Sequence, residues 1–226
     1  MKRGLDREME TLKILILRMG AAVQRSLSQC LEAYLERDAS LAEAVIRADD
    51  EINTIELEID RDSLLALALG NPVAGDLRFI LVVRRMNIDL ERIGDQACNV
   101  ARRAIYLGHR PPLPPFPPFL TLADCTERMF RTAMEAFAKK DTELARRVCE
   151  MDDEADRANV DLLKGVLRYM LEESPAIERG VQTIISARSL ERICDLCTNI
   201  AENVIFMVEG INVKHPRILD KPSLRM

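Results

Sequence analysis

The stretch LERIGDQACNVARRAI, residues 90–105, recurs near the other end of the chain as LERICDLCTNIAENVI, residues 190–205. Leu, Glu, Arg, Ile, Asp, Asn, Ala and Ile stand at matching positions of both copies. An echo of this kind indicates two copies of one structural unit. We therefore predict that the 226-residue chain forms two units of about 100 residues each.

Composition and apolar spacing predict that both units are helical. Leu, Ala, Glu and Arg are abundant, glycines number only nine and tryptophan is absent, which is typical of long helices. Apolar residues recur every three or four positions. The predicted fold is all-α, two tandem antiparallel three-helix bundles with a pseudo-two-fold repeat. We expect helices at about residues 6–37, 41–69, 72 or 75 to 107, 120–139, 141–171 and 174–210.

The second helix has the clearest pattern of this kind. We expect its N-cap at Ser40, with Glu43 completing a capping box. Gly70 and Pro72 should end it. Its buried seam steps by four and three residues and is predicted to comprise Leu41, Val45, Ala48, Ile52, Ile55 and Ile59.

A proline-rich segment, PPLPPFPPF, separates the two units. We assign residues 1–108 to the first bundle, 109–119 to the linker, 120–210 to the second bundle and 211–226 to a loose tail. The linker is predicted to be a stiff polyproline spacer, which Phe116 and Phe119 can hold against a helix. Recognition of its PxxP pattern by a partner is the alternative.

Charge and cysteine usage narrow the class of protein. The net charge is −5, and Lys and Arg are dispersed among acids, which argues against a nucleic-acid partner. The apolar run at residues 14–17 is too short to cross a membrane. Six cysteines without a disulfide framework indicate reduced thiols in a cytoplasm. Cys194 and Cys197 form a lone CxxC, which is weak evidence for metal or redox work, and we expect Cys197 to fill the core.

Acidic side chains are the candidate functional residues. Each copy of the repeated stretch places two acids and an asparagine four residues apart, on one helix face. The middle helix of each unit adds a second pair at the same spacing. Antiparallel helices bring residues level when they lie equally far from the connecting turn, so each unit gathers four oxygen-bearing side chains at one height: Asp49, Asn53, Glu91 and Asp95 in the first, and Asp152, Asp156, Glu191 and Asp195 in the second. Asn99 and Asn199 follow Asp95 and Asp195 by four residues and are further candidates.

Two interpretations of these acids remain open on the residues alone. Glu91 and Asp95 point away from the apolar seam, as on an ordinary solvated face. Solvated faces, however, usually pair acids with bases three or four residues away, and Asp49, Glu91 and Asp152 have no such base. The alternative is a cation site in a surface groove. Carboxylate and amide oxygens suit magnesium, manganese, calcium or iron.

The chain offers no recognisable catalytic motif. It shows neither a nucleophile–base pair nor a phosphate-cradling glycine loop, so we expect a protein that is not an enzyme. A metal-dependent enzyme or an iron-storage bundle is the alternative, although the Glu-x-x-His pairs of ferritin-like bundles are missing. Both histidines, His109 and His215, lie away from the acids. A helical scaffold without metal is a third possibility.

The two motifs LERIGDQACNVA and LERICDLCTNIA, in tandem three-helix units with Asp76-Leu77-Arg78 opening the third helix, resemble the PhoU family over residues 6–210. The resemblance implies a cytoplasmic regulator that restrains phosphate-starvation signalling when phosphate is plentiful. It implies two partners, the transporter ATPase PstB and the sensor histidine kinase PhoR. We also expect a homodimer and no direct membrane insertion.

The resemblance also implies metal at the acidic motifs, since some members carry iron or zinc there. The ligands implied in the first unit are Glu91 and Asp95 with Asp49, and Asn53 departs from the acidic pattern. Those implied in the second unit are Asp152, Asp156, Glu191 and Asp195. Asn99 and Asn199 either bind the ion or orient neighbouring side chains. Iron, zinc, manganese and magnesium are the candidate ions.

Overall fold

Six long α-helices account for most of the computed structural model, which describes residues 2–70 and 72–213. A 3₁₀ turn, Ser174–Ala176, precedes the last helix. The all-α prediction is therefore confirmed. The helices are α1 (Lys2–Glu36), α2 (Ala39–Gly70), α3 (Ala74–Gly108), α4 (Pro117–Lys139), α5 (Thr142–Glu172) and α6 (Ile177–Glu209).

The helices form two three-helix bundles, as the repeat predicts. Helices α1, α2 and α3 pack on one another, and so do α4, α5 and α6. The bundles meet mainly along α3 and α6, with a smaller contact between α1 and α4. Helices α2 and α5 therefore lie at the two outer ends. Side chains such as Ile52, Leu90 and Leu190 are completely or almost completely buried, and each contributes about 1.5–3 kcal/mol through removal from water.

The predicted seam of α2 is wrong at one position. Ala48 is exposed, whereas Ala42 and Val45 are buried. An α-helix has 3.6 residues per turn, so the position one turn after Val45 falls between residues 48 and 49. Either residue can therefore face the core between Val45 and Ile52. The helix turns Asp49 partly inward and Ala48 outward.

The predicted N-cap at Ser40 is also wrong. Arg37 adopts a left-handed conformation with φ 60°, which ends α1 before Asp38. The carboxylate of Asp38 accepts a hydrogen bond from the backbone N–H of Leu41 at 3.0 Å, so Asp38 is the cap and α2 starts at Ala39. The second unit repeats this turn, because Lys140 has φ 55° and Asp141 caps α5.

The proline-rich segment lies along the bundles. Helix α4 starts at Pro117, earlier than predicted, because proline is well suited to the first turn of a helix. Phe116 meets Tyr169 edge to face at 6.2 Å between ring centroids, and Phe119 stacks on Tyr34 at 4.5 Å. The two phenylalanines thus hold the segment against α5 and α1. At the far end, α6 stops before Gly210, which has φ 73°. Residues 214–226 of the predicted tail lie outside the described part of the chain.

Candidate functional site

The first acidic groove lies between α2 and α3, where the levels of the two helices predict it. A Cβ atom built on Gly94 would lie 3.2 Å from Oδ1 of Asp49 and 3.0 Å from Cδ1 of Ile52. A side chain at position 94 would therefore require Asp49 and Ile52 to shift by a few tenths of an ångström. Asn53 donates a hydrogen bond to Oδ2 of Asp49 at 3.2 Å. Asn53 thus orients the carboxylate of Asp49.

The carboxylates of this first groove act on one another. Burial raises the pKa of Asp49, and Asp95 raises it further, against the hydrogen bonds from Asn53 and Cys98 that lower it. Burial also raises the pKa of Glu91, followed by the negative charges of Asp95, Glu56 and Asp49. Like charges in a half-buried groove disfavour the ionised form. A bound cation would relieve this repulsion.

Glu56 belongs to the first groove and was missed in the sequence analysis. Its pKa is raised by burial, then by Asp60 and Asp95. The signal was present in the sequence, because Glu56 follows Asp49 by seven residues and therefore lies on the same helix face. The corresponding position of the second unit is Asn159, which lines a cavity of about 270 Å³ beside Glu191.

The second acidic groove lies between α5 and α6 and is more strongly charged. Burial raises the pKa of Asp152 from 3.8 to about 6, and Asp156, Asp195, Asp153 and Glu191 add to that rise in this order. Burial likewise raises the pKa of Asp195, with Asp156 next. Asp152, Asp156, Glu191 and Asp195 therefore act on one another electrostatically.

The two predicted asparagines, Asn99 and Asn199, have different surroundings. Asn99 donates to Gln96 at 3.5 Å and accepts from Arg102 at 3.0 Å, so its amide is engaged with its own helix. Asn199 lines a different groove, between α3 and α6, together with Arg192 and Asp195. Neither geometry selects between the two roles expected for these asparagines.

The donor set of both grooves consists of oxygen atoms. His109 is exposed at the end of α3, and His215 lies outside the described residues. In residues 2–70 and 72–213, no three or more His, Cys, Asp or Glu side chains stand close enough to enclose a metal ion. The acids are gathered at one level on neighbouring helices, and holding an ion would require their side chains to turn towards each other. Oxygen ligands of this kind fit hard or borderline cations.

Five of the six cysteines are buried, and Cys149 is partly exposed. Cys194 and Cys197 are buried, as expected for Cys197, and all six cysteines are free. Burial raises the pKa values of Cys194 and Cys197 well above the usual range of a thiol. Thiols held protonated in this way are poor nucleophiles, so the CxxC pair packs the second bundle.

No helix within the described part of the chain is both long enough and apolar enough to span a membrane. Comparison with known proteins points to one family. The family model of the PhoU domain matches twice, at residues 16–104 and 119–204, so that each bundle carries one copy of the domain.

Among curated relatives, a protein of Pseudomonas aeruginosa named phosphate-specific transport system accessory protein PhoU homolog is 38% identical over 92% of this chain and 86% of its own length. A homolog of the same name from Aquifex aeolicus is 37% identical, over 96% of this chain and 98% of that protein. The Escherichia coli PhoU protein is 31% identical, over 92% and 86%.

Solved structures show the same fold. The crystal structure of PhoU from Pseudomonas aeruginosa superposes with a TM-score of 0.89 at 38% identity, covering 91% of this chain and 99% of the other. The phosphate transport system regulatory protein PhoU from Streptococcus pneumoniae gives a TM-score of 0.86 at 26% identity, covering 92% and 99%. With both bundles matched over nearly their whole length, this chain belongs to the PhoU family.

Proposed function

We propose that this protein regulates phosphate uptake and phosphate-starvation signalling in the cytoplasm, as an adaptor and not as an enzyme. The observation that carries the proposal is the match of both bundles to proteins named as accessory to the phosphate-specific transport system. In this role the chain contacts a PstB-like transporter ATPase and a PhoR-like sensor histidine kinase. It restrains the starvation response when phosphate is plentiful.

The outer helices offer a surface suited to protein partners. Leu57 is 70% exposed and Leu64 is 60% exposed on α2. The corresponding positions of α5 hold Val160 and Leu167, also exposed. Single exposed apolar side chains occur at random on many protein surfaces. Their recurrence at equivalent positions of both bundles favours an interaction surface instead.

Co-purification from phosphate-replete cells tests the adaptor role. The tagged chain should retain the transporter ATPase and the sensor kinase. The double variant Leu64→Gln/Leu167→Gln should retain less of one or both, since its exposed apolar surface is reduced at both ends. Leu35→Gln on α1, where Leu35 is 45% exposed, is the matched control. Recovery of neither partner with the wild-type chain would contradict the adaptor role.

We further propose that both acidic grooves bind metal, with iron, zinc, manganese or magnesium as candidates. Asp49, Glu91 and Asp95 would hold the ion in the first groove. Asp152, Asp156, Glu191 and Asp195 would hold it in the second. The ion would neutralise carboxylates that repel one another, which links its binding to the stability of each bundle.

The second groove should bind the metal ion more tightly than the first. Asp156 supplies a carboxylate where Asn53 supplies an amide, and anionic oxygens favour the ion. Calorimetric titration of the metal-free protein with Mn²⁺, Zn²⁺ and Fe²⁺ measures this difference. Asp156→Asn should weaken the second site, and Asn53→Asp should strengthen the first. Unchanged affinities in both variants would contradict this assignment of ligands.

A homodimer completes the proposal, and sedimentation of the purified chain over a range of concentrations tests it. A ferroxidase assay on the iron-loaded protein separates the adaptor from the alternative of a metal-dependent enzyme or iron-storage bundle. The adaptor should not accelerate the oxidation of Fe²⁺. Turnover of Fe²⁺ that disappears in Glu191→Gln would favour the alternative.

A further inference from the structure

The seam between the bundles has approximate two-fold symmetry. Arg85 of α3 donates a hydrogen bond to Asn203 of α6 at 3.5 Å. Further along α3, Arg103 donates to Gln182 at 2.9 Å. Residue numbers that rise on α3 therefore pair with falling numbers on α6, so the two helices are antiparallel.

Three arginines meet midway between these two contacts. Arg92 and Arg192 occupy the same place in the repeated stretch, and both line a groove of about 610 Å³ between α3 and α6. Arg188 lines it as well. All three arginines are exposed, and each acts electrostatically on an acid of its own helix, Arg92 on Glu91 and Arg188 and Arg192 on Glu191. Like charges placed together repel one another, as do the acids of the neighbouring groove.

Two acids share this groove and limit its charge. Glu191 and Asp195 line it together with the arginines. Burial raises the pKa of both carboxyl groups and Asp156 of α5 adds to the rise, whereas Arg192 lowers both. The two acids therefore interact both with Asp156 of α5 and with the arginines of the groove. Three guanidinium groups against two carboxylates leave one positive charge in excess, and Arg92 lies on the helix opposite the acids.

We propose that the groove between α3 and α6 binds a phosphate group on Arg92, Arg188 and Arg192. The planar guanidinium fork pairs with two oxygens of an anion at once. A phosphate monoester carries about 1.5 to 2 negative charges and three acceptor oxygens, which suits three arginines better than the single charge of a carboxylate does. Gln96 and Ser189 also line the groove and add neutral donors.

The phosphate group is either free inorganic phosphate or an ester on a larger molecule, since the groove has room for both. This site goes beyond the adaptor role proposed above, which assigns no such ligand to the chain. Binding is measured on the purified protein alone. Its failure would therefore leave the adaptor role standing, and failure of the adaptor role would leave the binding site standing.

Isothermal titration of the metal-free full-length chain at low ionic strength tests the proposal, with inorganic phosphate and phenyl phosphate as probes. Both probes should bind saturably to the wild-type protein. Arg92→Gln/Arg192→Gln should bind at least tenfold more weakly. Arg7→Gln/Arg131→Gln, which changes the net charge equally at exposed arginines of α1 and α4, should bind as the wild type does.

A third variant guards against loss of binding through misfolding. Glu191→Gln/Asp195→Asn removes the acids of the groove and should tighten phosphate binding severalfold, a gain that an unfolded protein would not produce. Tighter binding of phenyl phosphate than of inorganic phosphate would identify an ester as the ligand class. The reverse order would identify free phosphate. Absence of saturable binding of either probe, or equal loss in the Arg7/Arg131 control, would overturn the proposal.

Discussion

Replacing Asp152 by asparagine should stabilise the metal-free protein at neutral pH. Asp152 is half-buried among four other acids, and its pKa is raised from 3.8 to about 6, chiefly by burial. A carboxyl group whose pKa is higher in the folded than in the unfolded state destabilises the fold wherever it is ionised. The destabilisation is complete above pH 6 and disappears below about pH 4. Asp152→Asn should therefore gain stability at pH 7 and gain none at pH 3.5.

The size of this gain follows from the shift. Each pKa unit corresponds to about 1.36 kcal/mol, so a rise from 3.8 to about 6 sets an upper bound of about 3 kcal/mol. Because Asp152 is only half-buried, solvent screening reduces the effect to about 1 kcal/mol. For a chain of this size, that corresponds to an increase in melting temperature of about 2–4 °C.

Urea denaturation in the presence of a chelator, at several pH values, measures the gain. Asp161→Asn is the matched control, since Asp161 is exposed on the same helix and forms an ion pair with Lys164 at 3.6 Å. High salt should remove only the part of the gain that comes from the neighbouring acids, because the screening length falls to about 3 Å at 1 M while burial is unaffected. An equal gain at pH 3.5 and pH 7, or a gain no larger than that of the control, would refute the electrostatic argument.

Two further predictions concern packing and capping, and urea denaturation measures both. The Gly94→Ala protein should be less stable than the Gly75→Ala protein by about 1–3 kcal/mol. A Cβ atom at position 94 would lie 3.0 Å from Ile52, whereas nothing lies within 4 Å of one at position 75. Equal stabilities of the two variants would contradict the close approach of α2 and α3. Asp141→Ala should lower the free energy of unfolding by about 1 kcal/mol, since Asp141 accepts two backbone hydrogen bonds. Asp38→Ala removes one such bond and should lower it by less. The opposite order would contradict the assigned N-caps.

Much of the fold could be predicted from the repeat of residues 90–105 at 190–205. Two helices with the same apolar face pack against the same arrangement of neighbouring helices, so the repeat indicates two similar bundles. The level of Asp49 on α3 could also be predicted, since a tight turn between antiparallel helices sets their register. What could not be predicted was which of Ala48 and Asp49 turns inward. The helical period places the buried face of α2 between positions 48 and 49, and the packing of α2 on α3 decides which of the two faces the core.

The arginine groove could not be predicted from local patterns. Arg92 and Arg192 lie a hundred positions apart, and each looks like one member of an acid–base pair on its own helix. Only the antiparallel packing of α3 on α6 brings them together. Contacts between the bundles depend on how the two bundles are oriented. That orientation produces no periodic pattern in residues 90–105 or 190–205. Glu56, in contrast, follows the same helical period as Asp49 and could have been found.

The most direct test of the account measures a reporter of the phosphate-starvation response in cells that lack this chain, grown with ample phosphate. The account predicts that the reporter is active in these cells and that the wild-type chain silences it. A chain with Glu91→Gln, Asp95→Asn, Glu191→Gln and Asp195→Asn should accumulate to the same level but silence it poorly. A reporter that stays silent without the chain would contradict the regulatory function, and full silencing by the quadruple variant would contradict the role of the acidic grooves.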